Sequence, residues 1–191
     1  PRLRDDTLVL WFTRFTETQP ARGLHLFQQL HRQMPSARLC IVGAGLRGEE
    51  GTLKNLARWM GLNDVINPIG WQEGDALARV LAQAGLAMFP LDDTTLNRAR
   101  CPARLAHLLA AGVPTVVERV GEATTYVIDG ISGRLVRPGD EVDFVTAMGK
   151  LLRDPAQREN LSQGARRRMA ARFQWTQLAV QAEAAYGMAD A

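Results

Sequence analysis

Along most of the chain, short apolar runs of strand type alternate with longer stretches in which apolar residues recur every three or four positions. The runs lie near Leu8 to Thr13, Arg38 to Val42, Val65 to Ile69, Leu86 to Phe89, Thr115 to Glu118 and Arg134 to Val136. Between them, Leu24, Phe27, Leu30 and Met34 fall at helical spacing, as do Leu53, Leu56, Ala57 and Met60, then Leu77, Val80, Leu81 and Ala84. Regular βα alternation requires parallel strands joined by crossover helices. The pattern therefore predicts a Rossmann-like, doubly wound α/β sheet of about six strands, with ligands outside the carboxyl ends of the strands.

The last part of the chain departs from this rhythm. In DPAQRENLSQGARRRMAARF, Leu161, Ala165 and Met169 stand four apart, and in WTQLAVQAEAAYG so do Leu178, Ala182 and Tyr186. Residues 151–191 thus read as two extra C-terminal helices, which either cap the sheet or reach toward a partner domain. Residues 1–191 together read as a single Rossmann-like domain. The chain opens at Pro1 and enters the strand-like TLVLWFTRF almost at once, so a fragment whose preceding residues were removed is expected.

Composition changes this picture little. A content of 46% hydrophobic and 23% charged residues is that of an ordinary globular domain. No stretch approaches the roughly 18 to 20 apolar residues of a membrane helix, and no secretory signal opens the chain. Cys40 and Cys101 have neither a disulfide framework nor zinc spacing, so a reducing, cytoplasmic setting is expected. The net charge of +3 comes mostly from arginine, whose planar fork suits phosphate. The block RRRMAAR, Arg166 to Arg172, reads as a solvated helix face rather than a nucleic-acid or lipid contact.

The segment IVGAGLRG, Ile41 to Gly48, spells the G-x-G-x-x-G of a dinucleotide fingerprint. Its context argues against that reading, because the motif follows the second strand rather than the first. Asp64 precedes the next strand instead of ending it, and Glu49 and Glu50 bring negative charge to where a pyrophosphate would rest. Gly43 and Gly45 retain two readings, a close backbone approach to a ligand or simply a tight turn.

Arginines provide the sharper signal. Arg14 lies just beyond the first strand and Arg22 at the start of the following helix. In NRARCPARLAHLLAAGVPTVV, Pro102 sits at the first turn of a helix whose free amides and dipole would seat an anion, with Arg98, Arg100 and Arg104 around it. Together these arginines predict a phosphate site. Leu105, Leu108 and Leu109 make the buried stripe of that helix, so Ala103, Arg104 and His107 share the opposite face and look into the cleft. There His107 can meet a ribose. Asp92 and Asp93 read as a solvated loop start rather than a metal pair.

These pieces, in this order, resemble the C-terminal, nucleotide-sugar-binding domain of a GT-B-fold retaining glycosyltransferase of group 1, family 4. FTRF...ARG resembles the usual G-R-L...K-G, and MFPL the usual P-S strand end. CPARLAHLLAAGVPTVV resembles P-x-K-L-L-E-A-x-A-x-G-x-P-V-V, and LCIVGAG...LKNLARWMGLNDVINPIGW, IDGISGRLVRPGD and FQWTQLAVQAEAAY also match. The resemblance implies that Arg14, Arg22 and Arg104, the Gly43 and Gly45 amides and the Pro102–Ala103 helix start hold the diphosphate of a UDP-sugar or GDP-sugar. His107 would lie near the ribose, and Ile69 and Gly70 near the base. It further implies sugar transfer with retention, without a cofactor or metal, to a sugar or lipid-linked acceptor held by an absent N-terminal domain. A peripheral membrane contact of the full-length protein is compatible with this, and nucleic acid is not an expected partner. The chain departs from the pattern at the family's paired glutamates, eight positions apart, which fall on Ala99 and His107. That departure puts activity in question and keeps open a degenerate, non-catalytic module; an NAD-dependent oxidoreductase built on GAGLRG is the other alternative.

Overall fold

The structure, a computed structural model, describes residues 5–189, with side chains to residue 187. In chain order the elements are β1 (Asp5–Phe12), α1 (Pro20–Gln33), β2 (Arg38–Val42), α2 (Glu49–Trp59), β3 (Ile66–Gly70), α3 (Gly74–Gln83), β4 (Ala84–Phe89), α4 (Thr95–Ala99) and α5 (Ala103–Ala110). They continue with β5 (Thr115–Glu118), α6 (Ala123–Tyr126), β6 (Arg134–Val136), α7 (Glu141–Arg153), α8 (Pro155–Arg172) and α9 (Trp175–Ala189). Among the described residues the strands form one parallel sheet in the order β3-β2-β1-β4-β5-β6. Connections run outward in one direction from β1 and in the other from β4, which leaves a crevice at the carboxyl ends of these two strands.

Two apolar layers clamp the sheet, and the two-residue period of the strands divides their side chains between them. Val9 and Trp11 of β1, Leu39 and Ile41 of β2, and Leu86 and Met88 of β4 pack with α1, α2 and α7. Leu10 and Phe12, Cys40 and Val42, and Ala87 and Phe89 pack on the other face with α3, α5, α6 and α8. Full burial of Leu24, Phe27 and Leu30 on α1 contributes about 1.5–3 kcal/mol for each side chain. Gly23 lets α1 lie close on the sheet, since a Cβ there would stand 2.1 Å from the Trp11 ring.

Boundaries differ from the sequence expectation where tertiary contacts decide them. Ala84 ends the helical periodicity but begins β4, and β3 starts one residue later than expected because Val65 closes a turn on Leu62. Helix α7 extends through residue 151, so the C-terminal helical segment begins earlier than the strand signals implied; residues 1–4 and 190–191 of the expected domain lie outside the described residues. The two final helices also differ from each other. Leu161 and Ala165 bury α8 against the domain, whereas α9 leaves Trp175, Val180 and Tyr186 largely in solvent. The arginine block of α8 is not a uniformly solvated face: Arg166 donates to the Ala111 carbonyl and Arg168 to the Tyr126 and Thr125 carbonyls, so two of its cations meet helix carboxyl ends. Buried Arg158 does likewise for α7, donating to Leu151 and Leu152 at 2.7 and 2.6 Å while reaching Asp6 on β1. No helix among the described residues is long and apolar enough to cross a membrane.

Candidate functional site

The turn after β1 is built around a buried carboxylate. Glu17, 3% exposed, accepts from the Thr13 hydroxyl at 3.1 Å and the Arg14 amide at 3.3 Å. Its other oxygen takes the Arg104 guanidinium, with Arg100 at 3.4 Å. Burial opposes ionisation of Glu17, but the Arg104 charge and hydrogen bond outweigh it and hold the carboxyl below the usual range. Stability drawn from this carboxylate is thus fully present above the ordinary glutamate range, about pH 4.3, and is lost as pH falls through the lower folded value. Phe15 adopts a φ of 59°, a strained conformation for a bulky residue, and is held there by its amide bond to the Thr13 hydroxyl and an edge-on contact with Trp11. Arg100 closes the turn from outside through Thr16.

A second buried carboxylate ends β5. Glu118 is fully buried and accepts from Arg22 at 2.6 and 2.9 Å, from the Leu91 amide at 2.8 Å and from the Gly139 amide at 2.7 Å. Asp92, which also accepts from Thr18, takes Arg22 at 2.8 Å, and Glu141 approaches its Nε at 3.4 Å. Burial works against the Arg22 charge, but Glu118 and Asp92 outweigh it and raise its affinity for the proton. Arg22, expected from the sequence to offer its fork to a phosphate, pairs with carboxylates here. Three carboxylates occupy that fork, and Arg22 instead ties α1 to the ends of β4 and β5. Asp93 lies in solvent as expected of a loop start and pairs with Arg98 at 2.6 and 2.8 Å, while the half-buried Asp92 pairs with Arg22.

Asn97, 3% exposed, joins the two clusters by donating to the Glu17 and Asp92 carbonyls at 2.7 Å each. Glu17 links the β1 turn to α5, accepting from the Arg14 backbone amide and from the Arg104 side chain. Pro102 is the N-cap of α5 rather than its first helical residue. The start at Ala103 has no side-chain cap and no acidic residue in its first turn, and the buried Nε of Arg104 has no acceptor. Leu105, Leu108 and Leu109 are buried as their spacing predicts. His107 is exposed on the same helix and stacks on Phe12, centroids 6.3 Å apart and planes 24° from parallel.

The Gly43–Gly48 turn is already satisfied internally. The Gly43 amide donates to Gly70 at 2.8 Å and the Gly45 amide to the Glu50 carboxylate at 2.6 Å, while Glu49 takes the Arg47 amide at 2.7 Å. The Gly43 and Gly45 amides, expected in an anion cradle, thus donate within the domain. Gly43 serves close packing: with φ at 125°, an added Cβ would lie 1.8 Å from the Thr13 carbonyl oxygen. Ile69 and Gly70 stand beside this turn, Ile69 half-buried on the second apolar layer and its carbonyl taken by Gln72.

Arg14 differs from Arg22, Arg98, Arg100 and Arg104, each of which pairs with a carboxylate. It makes no ion pair among the described residues, and its guanidinium lies over the Trp71 ring, 4.9 Å from the centroid. Sequence reasoning missed Glu17, Glu118, Asn97 and Trp71. Two signals were present: a glutamate closing the apolar strand TVVE, and a tryptophan immediately after the Gly70 strand end. No group of three or more metal-ligating side chains occurs among the described residues. A cavity of about 470 Å³, bordered by Asp5, Arg38, Cys40 and Asp64, lies toward the amino ends of β1 to β3, away from this edge. Burial pushes the Cys40 thiol there up to about 11, which keeps it unreactive.

Sheet order and crossover helices define a Rossmann-like α/β domain. The chain belongs to the glycosyl transferases group 1 family, whose model matches residues 7–154. It is 32% identical to a D-inositol 3-phosphate glycosyltransferase of Stackebrandtia nassauensis over 97% of this chain and 42% of that protein. It is 30% identical to an MMP alpha-(1->4)-mannosyltransferase of Mycolicibacterium hassiacum over 74% of this chain and 33% of that protein. Anabaena HepE in complex with UDP-glucose shares the fold with a TM-score of 0.79 at 20% identity, over 97% of this chain and 50% of that one. The C-terminal domain of a group 1 family protein, LpcC of Francisella tularensis, aligns over 88% of this chain and 86% of its own length, with a TM-score of 0.68 at 12% identity. The chain thus spans under half the length of these curated relatives.

Proposed function

We propose that this chain is the nucleotide-sugar-binding half of a retaining glycosyltransferase, with the acceptor bound by an N-terminal domain outside it. The observation that carries this reading is the α5 start, an uncapped helix N-terminus with no acid in its first turn, at the same carboxyl edge of the sheet as Arg14, which has no ion pair among the described residues. A helix end of that kind seats a diphosphate, and Arg14 supplies in-plane N–H donors to it. Arg104, oriented by Glu17, flanks the same seat. His107, on the exposed side of α5, lies where a ribose would follow, with the base toward Ile69 and Gly70.

In the transfer, the bond from the anomeric carbon to the diphosphate oxygen breaks and a bond to an acceptor oxygen forms on the same face. The electron pair leaves with the diphosphate, and the acceptor hydroxyl passes its proton to the departing diphosphate oxygen. Helix amides and Arg14 stabilise the charge that develops on the leaving group, which is where fixed cations act most strongly. The bound UDP-glucose of HepE, a protein of the same fold, supports a nucleotide sugar as the donor. The exposed face of α9 is available to the missing domain.

Calorimetry with UDP and GDP tests this. Binding of at least one nucleotide is expected, and Arg14→Ala should weaken it about 30-fold, the loss of charge-assisted hydrogen bonds to phosphate. Unchanged affinity in that variant removes Arg14 from the site. Failure of both nucleotides to bind favours a non-catalytic module, for which Ala99 and His107 in place of the family's glutamates would be the sequence signature.

A further inference from the structure

We propose that Trp71 is a positioning residue for donor recognition: its indole face holds the Arg14 guanidinium in place while leaving that cation's charge and in-plane donors available to the diphosphate. The inference rests on the donor-binding reading above and adds to it the device that prepares Arg14.

The argument begins with how the neighbouring arginines are fixed. Arg22 is held by Glu118 and Asp92, Arg100 and Arg104 by Glu17, and Arg98 by Asp93. A carboxylate orients a guanidinium well, but it neutralises the charge and occupies the N–H fork that a phosphate needs. An aromatic face attracts the cation through its quadrupole and leaves the N–H groups at the guanidinium edge free. Arg14 alone among these arginines is held in that way, at 4.9 Å from the Trp71 centroid, and its side chain takes no acceptor among the described residues.

Trp71 is itself fixed from two directions. Its backbone follows Gly70, whose φ of 70° turns the chain sharply and whose carbonyl accepts from Gly43. Its indole N–H donates to Glu73 at 3.3 Å. That bond uses the Glu73 carboxylate on the ring, and no ion pair of Glu73 with Arg14 is formed. At 48% exposed, Trp71 is an apolar side chain that the domain core does not require, so its place over Arg14 calls for another explanation than packing.

The test is a double-mutant cycle read by calorimetry with UDP and GDP on the 191-residue chain. Trp71→Leu keeps apolar bulk and removes the π face; it should weaken nucleotide diphosphate binding about fivefold, whereas Trp71→Phe should stay within about twofold. In the Arg14→Ala background, Trp71→Leu should cause no further loss, because its effect travels through the guanidinium. Uridine, which lacks phosphate, should not sense Trp71. Three results overturn the inference: wild-type affinity in Trp71→Leu, equal losses in Trp71→Leu and Trp71→Phe, or a Trp71→Leu loss that persists without Arg14 or extends to uridine, which would mean direct stacking on the base. In each of these the donor-binding reading survives as long as Arg14→Ala weakens binding. If wild-type chain binds neither nucleotide, that reading falls and the inference with it.

Discussion

Two helix starts face the same edge of the sheet, and they are opposite in character. The start of α2 carries the glycine-rich spelling of an anion site, yet its own Glu50 occupies the Gly45 amide and Glu49 the Arg47 amide. The start of α5 carries no such spelling, only CPAR, and has neither an acid in its first turn nor a side-chain cap. The dipole is common to both, so the two starts differ in the acids that α2 carries in its first turn and α5 lacks. The same difference separates the arginines: Arg22 is spent on Glu118, Asp92 and Glu141, and Arg14 is held without being neutralised.

The contrast can be broken from either side. The largest effect is expected at Gly43, because a Cβ there would meet the Thr13 carbonyl oxygen at 1.8 Å in a left-handed backbone. Gly43→Ala should cost about 3 kcal/mol or more of stability in a denaturant titration; a variant as stable as the parent would show that the β1 and β2 ends can separate freely. Next in size, Ala103→Glu should give α5 the internal anion that α2 has. Nucleotide diphosphate affinity should fall about tenfold while the melting temperature holds or rises slightly, since an acid in a first turn stabilises a helix; undiminished affinity would place the phosphates elsewhere. The smallest effect belongs to Glu50→Gln, which removes the charge from the α2 start. It should cost about 1 kcal/mol or less and leave nucleotide affinity unchanged, whereas a gain in affinity would reopen the glycine turn as a phosphate site.

Most strands were legible because they are apolar and bounded by turn residues; β2, β5 and β6 match their apolar runs to the residue. Leu105, Leu108 and Leu109 were legible through helical spacing, and with them the outward place of His107. The partners of Arg22 were not legible, because they lie in distant segments. Glu118, 96 positions later, and Arg104, 87 positions after Glu17, meet only when β1, β4 and β5 are side by side. Glu17 looked like one polar residue among several in TRFTETQ, and nothing local marks it for burial.

By itself, the amino-acid sequence determined the βα order, the apolar layers and the edge on which its cations gather, because local periodicity and parallel crossovers leave few other ways to bury those residues. Only the tertiary structure decided which of those cations remain available. Charge availability is a property of pairs, and the carboxylates that neutralise Arg22 and orient Arg104, like the indole that holds Arg14, reach them through contacts between strand ends far apart in the chain.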